Sequence, residues 1–91
     1  MENISIPEAL GLACRIWRVR RGRPGQPVTQ SKLIAAAKAA GYDLSPGVLT
    51  AIEGGADWPP RAFAAVCAGL GVEGGVLMQT AAEEQARSRE G

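Results

Sequence analysis

The chain has no histidine and two cysteines, Cys14 and Cys67. Its aromatics are limited to Trp17, Tyr42, Trp58 and Phe63. Each scarcity narrows what it can be. Without histidine it lacks the side chain that changes charge near neutral pH and that most often holds a metal. Two cysteines alone do not make a zinc site. The acids are scattered rather than paired, and no serine or cysteine stands in a recognisable nucleophile setting. An enzyme is therefore not expected, and neither a cofactor nor a metal is. No apolar run approaches the ~18 residues that span a bilayer. The start, MENISIPEAL, has no signal-peptide pattern. The expected location is cytoplasmic, with both cysteines reduced core residues.

What is present is a helical composition. The 91 residues suffice for one small domain with a single core. They are 46% hydrophobic and 21% charged, as in globular chains. Abundant alanine favours closely packed helices. The net charge of +1 points to no partner, but its distribution is uneven. Arg15, Arg18, Arg20, Arg21, Arg23, Lys32 and Lys38 fall in one stretch that holds no acid. Such a stretch is either an electrostatic footprint for phosphate or a solvated helix face.

Five helical segments follow from the punctuation, and no strand with clean alternation. The first opens at SIPEAL, with Ser5 as cap and Pro7 in the first turn. Leu12, Ile16 and Val19 recur at i, i+4 and i+7 and predict its buried face. It ends near Arg21, before Gly22, Pro24, Gly25 and Pro27. The second is capped by Thr29, buries Leu33, Ala36, Ala37 and Ala40, and stops at Gly41. The third starts at Ser45-Pro46, carries Val48, Leu49 and Ile52, and closes at Gly54 and Gly55. The fourth, RAFAAVCAGL, buries Phe63, Val66, Cys67 and Leu70 and ends at Gly71. A short fifth lies around Val76 to Thr80, and it either stops there or continues into the polar tail. The expectation is an all-α, compact five-helix bundle over residues 5–80, with 81–91 as a polar C-terminal tail.

Two short helices joined by a turn inside such a bundle suggest a helix-turn-helix formed by helices 2 and 3. The segments ACRIWRVRR, VTQSKLIAAA, LSPGVLTAIEGG and PPRAFAAVCAGLGV resemble the lambda-repressor/Cro-like (XRE) helix-turn-helix family. The matching residues are Ile16, Val19 and Arg20; Thr29 and Gln30; Ile52, Glu53 and Gly55; Pro60; and Leu70, Gly71 and Val72. The resemblance covers roughly residues 12 to 78. It implies DNA binding, with Gln30 on the DNA backbone or a base edge. It implies a structural ion pair between Arg20 and Glu53, and a basic contact from Arg61 at the start of helix 4.

The residues agree in part. Thr29, Gln30, Ser31 and Lys32 occupy a first helical turn, where backbone N–H groups suit a phosphate, although Thr29-Gln30 also reads as a plain capped start. Helix 3 is the element a major groove admits. Its outward positions are Ser45, Pro46, Gly47, Thr50 and Ala51, none of them Arg, Lys, Asn or Gln. Bidentate base contacts are therefore absent from it. A second departure is spacing: residues 31–51 separate Thr29-Gln30 from Ile52-Glu53, longer than the family's short turn implies.

RGRPGQPV fills the link between helices 1 and 2, and its Arg-Gly-Arg-Pro resembles an AT-hook. Three readings stand. Arg21 and Arg23 enter a narrow A·T minor groove; or they clamp phosphates without reading sequence; or glycine and proline simply turn the chain. Trp58 either packs on the core or a loop, or flanks DNA.

The leading expectation is a repressor-like, sequence-specific DNA-binding transcriptional regulator of phage or bacterial type, acting as a homodimer on double-stranded DNA. Val76, Leu77 and Met78 are either its dimer surface or ordinary core. The alternative is a helix-turn-helix bundle acting as a protein-interaction module, with polymerase, a regulator or a toxin as partner.

Overall fold

Three hydroxyl side chains start three of the helices. The computed structural model describes residues 4–90, and among these it contains five helices and no strand. Helix α1 (Ile6–Arg21) is capped by Ser5, whose Oγ accepts from Glu8 N at 3.2 Å. Helix α2 (Gln30–Ala39) is capped by Thr29, and α3 (Pro46–Glu53) by Ser45 with Pro46 at the first position. Helix α4 (Ala62–Leu70) has no side-chain cap and ends at Gly71, at φ 69° in the left-handed region. Helix α5 is Gly74–Glu90. The α3 terminus likewise passes through Gly54 to Gly55 at φ 103°.

Helix α1 packs on α5 and α3, and α2 packs on α4. Leu33, Leu49, Ile52, Val66 and Leu77 are fully buried between them. Each such side chain contributes about 1.5–3 kcal/mol by burial. Two approaches are close enough to require glycine. A Cβ on Gly11 would stand 2.4 Å from the Ile52 carbonyl oxygen, and one on Gly69 would stand 2.6 Å from that of Leu33. Gly11 thus sets the α1–α3 spacing and Gly69 the α4–α2 spacing.

Several expectations are corrected. The buried face of α1 is Ala9, Leu10, Gly11, Ala13 and Cys14, not Leu12, Ile16 and Val19. Val19 is 62% exposed. Small side chains point inward because α3 and α5 approach α1 closely. Bulk alone misleads where a helix is packed through alanine and glycine. Ala36 and Ala40 are exposed on α2, while Leu33 and Ala37 are buried. Phe63 and Cys67 are only half-buried on α4. Helix α5 takes the longer of its two readings and continues from the Val76–Thr80 segment through position 81 into the polar stretch. Ala81 is buried, and Gln85 Nε2 donates to the Ile4 carbonyl oxygen at 3.3 Å. Polar composition hid this helix, because its inner face is built from alanine, threonine and one leucine. Leu77 is core, leaving Val76 and Met78 exposed beside it.

Candidate nucleic-acid interface

Glu53, the last residue of α3, gathers three segments around its carboxylate. Arg18 donates to it twice, Nε to Oε2 and Nη2 to Oε1, both at 2.8 Å. The two side chains are 17% and 6% exposed. The third donor of Arg18, Nη1, reaches the Val28 carbonyl oxygen at 3.0 Å and so ties down the α1–α2 link. Gln30 Nε2 donates to Glu53 Oε1 at 3.0 Å, and Gln30 Oε1 accepts from Thr50 Oγ1 at 3.2 Å. Cys14 Sγ donates to Glu53 Oε2 at 3.2 Å. Burial first, then its bond to Glu53, pushes the Cys14 thiol far above its ordinary range, so it stays a neutral donor.

The ion pair expected from Arg20 is made by Arg18 instead. Arg18 lies one turn beyond Cys14, on the side of α1 that meets α3. Arg20 is two residues further on and projects elsewhere. Its guanidinium sits over the Trp17 ring, 5.0 Å from the centroid. The sequence signal was available: Arg18 follows Gly11 and Cys14 at i+7 and i+4, a face of small residues.

Residues 22–28 are folded, not extended. Arg23 N donates to Gln26 O at 3.0 Å and Gln26 N to Arg23 O at 2.8 Å. Pro24 and Gly25 form the corner, with Gly25 at φ 74°, the pattern of a type II turn. A Cβ on Gly22 would lie 2.4 Å from Gln26 O, so this position also needs glycine. Val28 N donates to Arg18 O at 2.9 Å. Arg21 is engaged: its Nε donates to the Leu70 carbonyl oxygen at 3.0 Å, at the C-terminal end of α4. Arg23 is exposed at the turn.

Between this turn and the start of α2 lies a cleft of about 770 Å³ whose lining includes Arg21, Arg23, Thr29 and Lys32. Thr29 Oγ1 accepts from Lys32 N at 3.1 Å. Next to it, a shallower depression of about 280 Å³ is lined by Arg15, Arg18, Gln30, Thr50, Glu53 and Gly54. The two hollows meet at the N-terminus of α2. They bring Arg15, Arg23, Gln30, Lys32 and Thr50 into one region. Arg15 was not singled out from the sequence; its only signal was membership of the acid-free stretch.

Ser45, Pro46, Gly47, Thr50 and Ala51 are exposed on α3, as expected, and Ser31 is exposed on α2. The Ser45 hydroxyl is occupied as cap, accepting from Val48 N at 3.1 Å. Arg61 is exposed at the head of α4 and lines neither hollow. Trp58 packs against the core with its ring tilted on Phe63, centroids 6.2 Å apart. Among the described residues no group of three His, Cys, Asp or Glu is placed to hold a metal. Among the described residues, no single helix is long and apolar enough to cross a membrane. No family model, curated protein or solved structure matches the chain.

Proposed function

We propose that the protein is a DNA-binding transcriptional regulator in which α2 and α3 act as a helix-turn-helix. The observation that carries this reading is the Glu53 assembly. It fixes α1, the start of α2 and the end of α3 against one another beneath an exposed α3 face. In this reading the exposed Ser45–Ala51 edge of α3 enters a major groove. Arg23 and Lys32, with the α2 N-terminus between them, hold phosphates. Arg15 and Arg61 extend the phosphate contacts. Gln30 works mainly as a strut between Glu53 and Thr50, so its amide orients Thr50 more than it reads a base.

The closed turn at Arg23–Gln26 favours a phosphate clamp over a minor-groove arm. A segment laid along a minor groove runs extended, and this one is bonded to itself. With no Arg, Lys, Asn or Gln on the α3 face, base discrimination rests on Thr50, on thymine methyl contacts and on DNA shape. The regulator acts without a cofactor, in the cytoplasm, as a dimer on a two-fold site. Val76 and Met78 border its dimer surface.

Fluorescence anisotropy with A·T-rich and G·C-rich duplexes across a salt series tests the reading. Binding falls steeply with salt, with log K losing about 0.9 per log unit for each phosphate contacted. Arg23→Ala and Lys32→Ala each lower that slope by about 1 and weaken both duplexes alike. Absence of binding to either duplex at low salt would overturn the proposal.

A further inference from the structure

The hydroxyl of Thr50 has its hydrogen-bond direction set for it, and the cause lies at Glu53. The Glu53 carboxylate offers lone pairs only. Its Oε1 accepts from Arg18 Nη2, and its Oε2 accepts from Arg18 Nε and Cys14 Sγ. Whatever Gln30 brings to it must therefore be a donor, which is the amide nitrogen, Nε2 to Oε1 at 3.0 Å. An amide turned the other way would set its oxygen against a carboxylate oxygen, two acceptors with no hydrogen between them. With Nε2 held on Glu53, the Gln30 Oε1 faces Thr50. An amide oxygen cannot donate, so the single hydroxyl hydrogen of Thr50 goes to it, at 3.2 Å. Toward any further partner the Thr50 oxygen has only lone pairs to offer.

Thr50 lies on the exposed face of α3. Of the exposed positions there, Ser45, Pro46, Gly47, Thr50 and Ala51, only Ser45 and Thr50 carry hydrogen-bonding side chains. Ser45 is the opposite case. Its Oγ accepts from Val48 N at 3.1 Å, so its hydrogen stays free to donate. In a major groove the polarity of Thr50 distinguishes bases. On the strand it faces, an acceptor is satisfied by the exocyclic amine of adenine or cytosine, N6 or N4. The keto oxygen of guanine or thymine, O6 or O4, is a second acceptor and opposes it.

We infer that Thr50 is a specificity-determining residue of the DNA interface. Its hydroxyl, held as an acceptor through Glu53 and Gln30, selects adenine or cytosine over guanine or thymine at one position of the bound site. Gln30 is a positioning residue that acts through Thr50. The inference rests on the DNA-binding reading and adds to it a class of base. Residue type alone does not give that class, because a threonine hydroxyl left free both donates and accepts.

Rounds of selection from a random duplex library by the whole protein, followed by sequencing, read the preference. The same selection with Thr50→Val, which keeps the shape and removes the hydroxyl, locates the position. There the parent enriches A or C over G or T by at least about threefold, and Thr50→Val does not. The thermal midpoint of Thr50→Val stays near that of the parent, because the residue is exposed. Gln30→Leu frees the Thr50 hydroxyl to donate, so G and T become as acceptable as A and C; a merely structural loss would weaken all four bases alike. A duplex with purine in place of adenine, or pyrimidin-2-one in place of cytosine, lacks only the amine. It binds the parent at least about threefold more weakly than the natural duplex and binds Thr50→Val equally. Enrichment of G or T at the position that Thr50→Val loses, a Thr50→Val selection identical to that of the parent, or an amine deletion that costs the parent nothing would each overturn the inference. Salt-dependent binding of unselected duplexes is read separately. Where it is present and the Thr50 preference is absent, this inference alone fails; where no duplex binds at low salt, the DNA-binding reading fails and this inference with it.

Discussion

Glu53 accepts from Arg18, Gln30 and Cys14 at 6% side-chain exposure, so the cost of losing it is the cost of stranding its donors. Glu53→Gln leaves the Arg18 guanidinium partly buried without its counter-charge. Such a loss costs about 3 kcal/mol and lowers the thermal midpoint by more than about 10 °C. Arg20→Ala removes only an exposed contact with Trp17 and changes stability by less than about 0.5 kcal/mol. Melts followed by circular dichroism compare the two, and they separate Arg18 from Arg20 as the partner of Glu53. Cys14 adds a pH dependence. Its folded thiol stays protonated well above 9.0, the ordinary value at which the unfolded chain ionises. Stability from this group is therefore complete below that pH and declines as pH rises above it. The decline is smaller in Cys14→Ala, which melts recorded from about pH 8 to about pH 10.5 would show.

Glycine has opposite meanings in different helices. Gly11→Ala drives a methyl into the Ile52 carbonyl, and α1 or α3 must move. The expected loss exceeds about 2 kcal/mol. Gly47 in the first turn of α3 meets nothing within 4 Å, so Gly47→Ala stabilises by about 0.5–1 kcal/mol. Chemical denaturation of both variants checks the sign of each. The boundaries of α1 to α4 were legible because caps and stops are local: Ser5, Thr29 and Ser45 begin helices, and Gly55 and Gly71 finish them at positive φ. Which face of α1 turns inward was not legible. That depends on how near α3 can come, a property of Gly11 and Ile52 together and of neither segment alone. The length of α5 was hidden for a related reason. Its inner side is Leu77, Thr80 and Ala81, and Thr80 is held by Trp17 Nε1 at 2.9 Å, a partner 63 positions away.

On the scale of the molecule, the cations of the acid-free stretch divide between structural bonds and exposed positions. The acid-free stretch supplies Arg23 and Lys32 to the cleft beside α2, and Arg15 to the hollows beside the end of α3. The cation cluster could be read from the sequence, but not which of its members were already committed. Arg18 is spent on Glu53 and Arg21 on the end of α4, and these assignments require the folded chain. Arg21→Ala is accordingly expected to lower stability, by about 1 kcal/mol, more than it lowers the salt dependence of DNA affinity. Paired melts and anisotropy titrations on the one variant separate the two effects.

The first and last helices of the chain pack on each other, and the Trp17–Thr80 bond crosses that seam. During synthesis α1 therefore emerges long before its cover exists. Until α5 has left the ribosome, Trp17 and the side of α1 that meets α5 face water. The nascent bundle is an open cup whose seal is α5. A chain interrupted before α5 thus keeps an exposed seam, and it is a substrate for proteases rather than a shorter working protein.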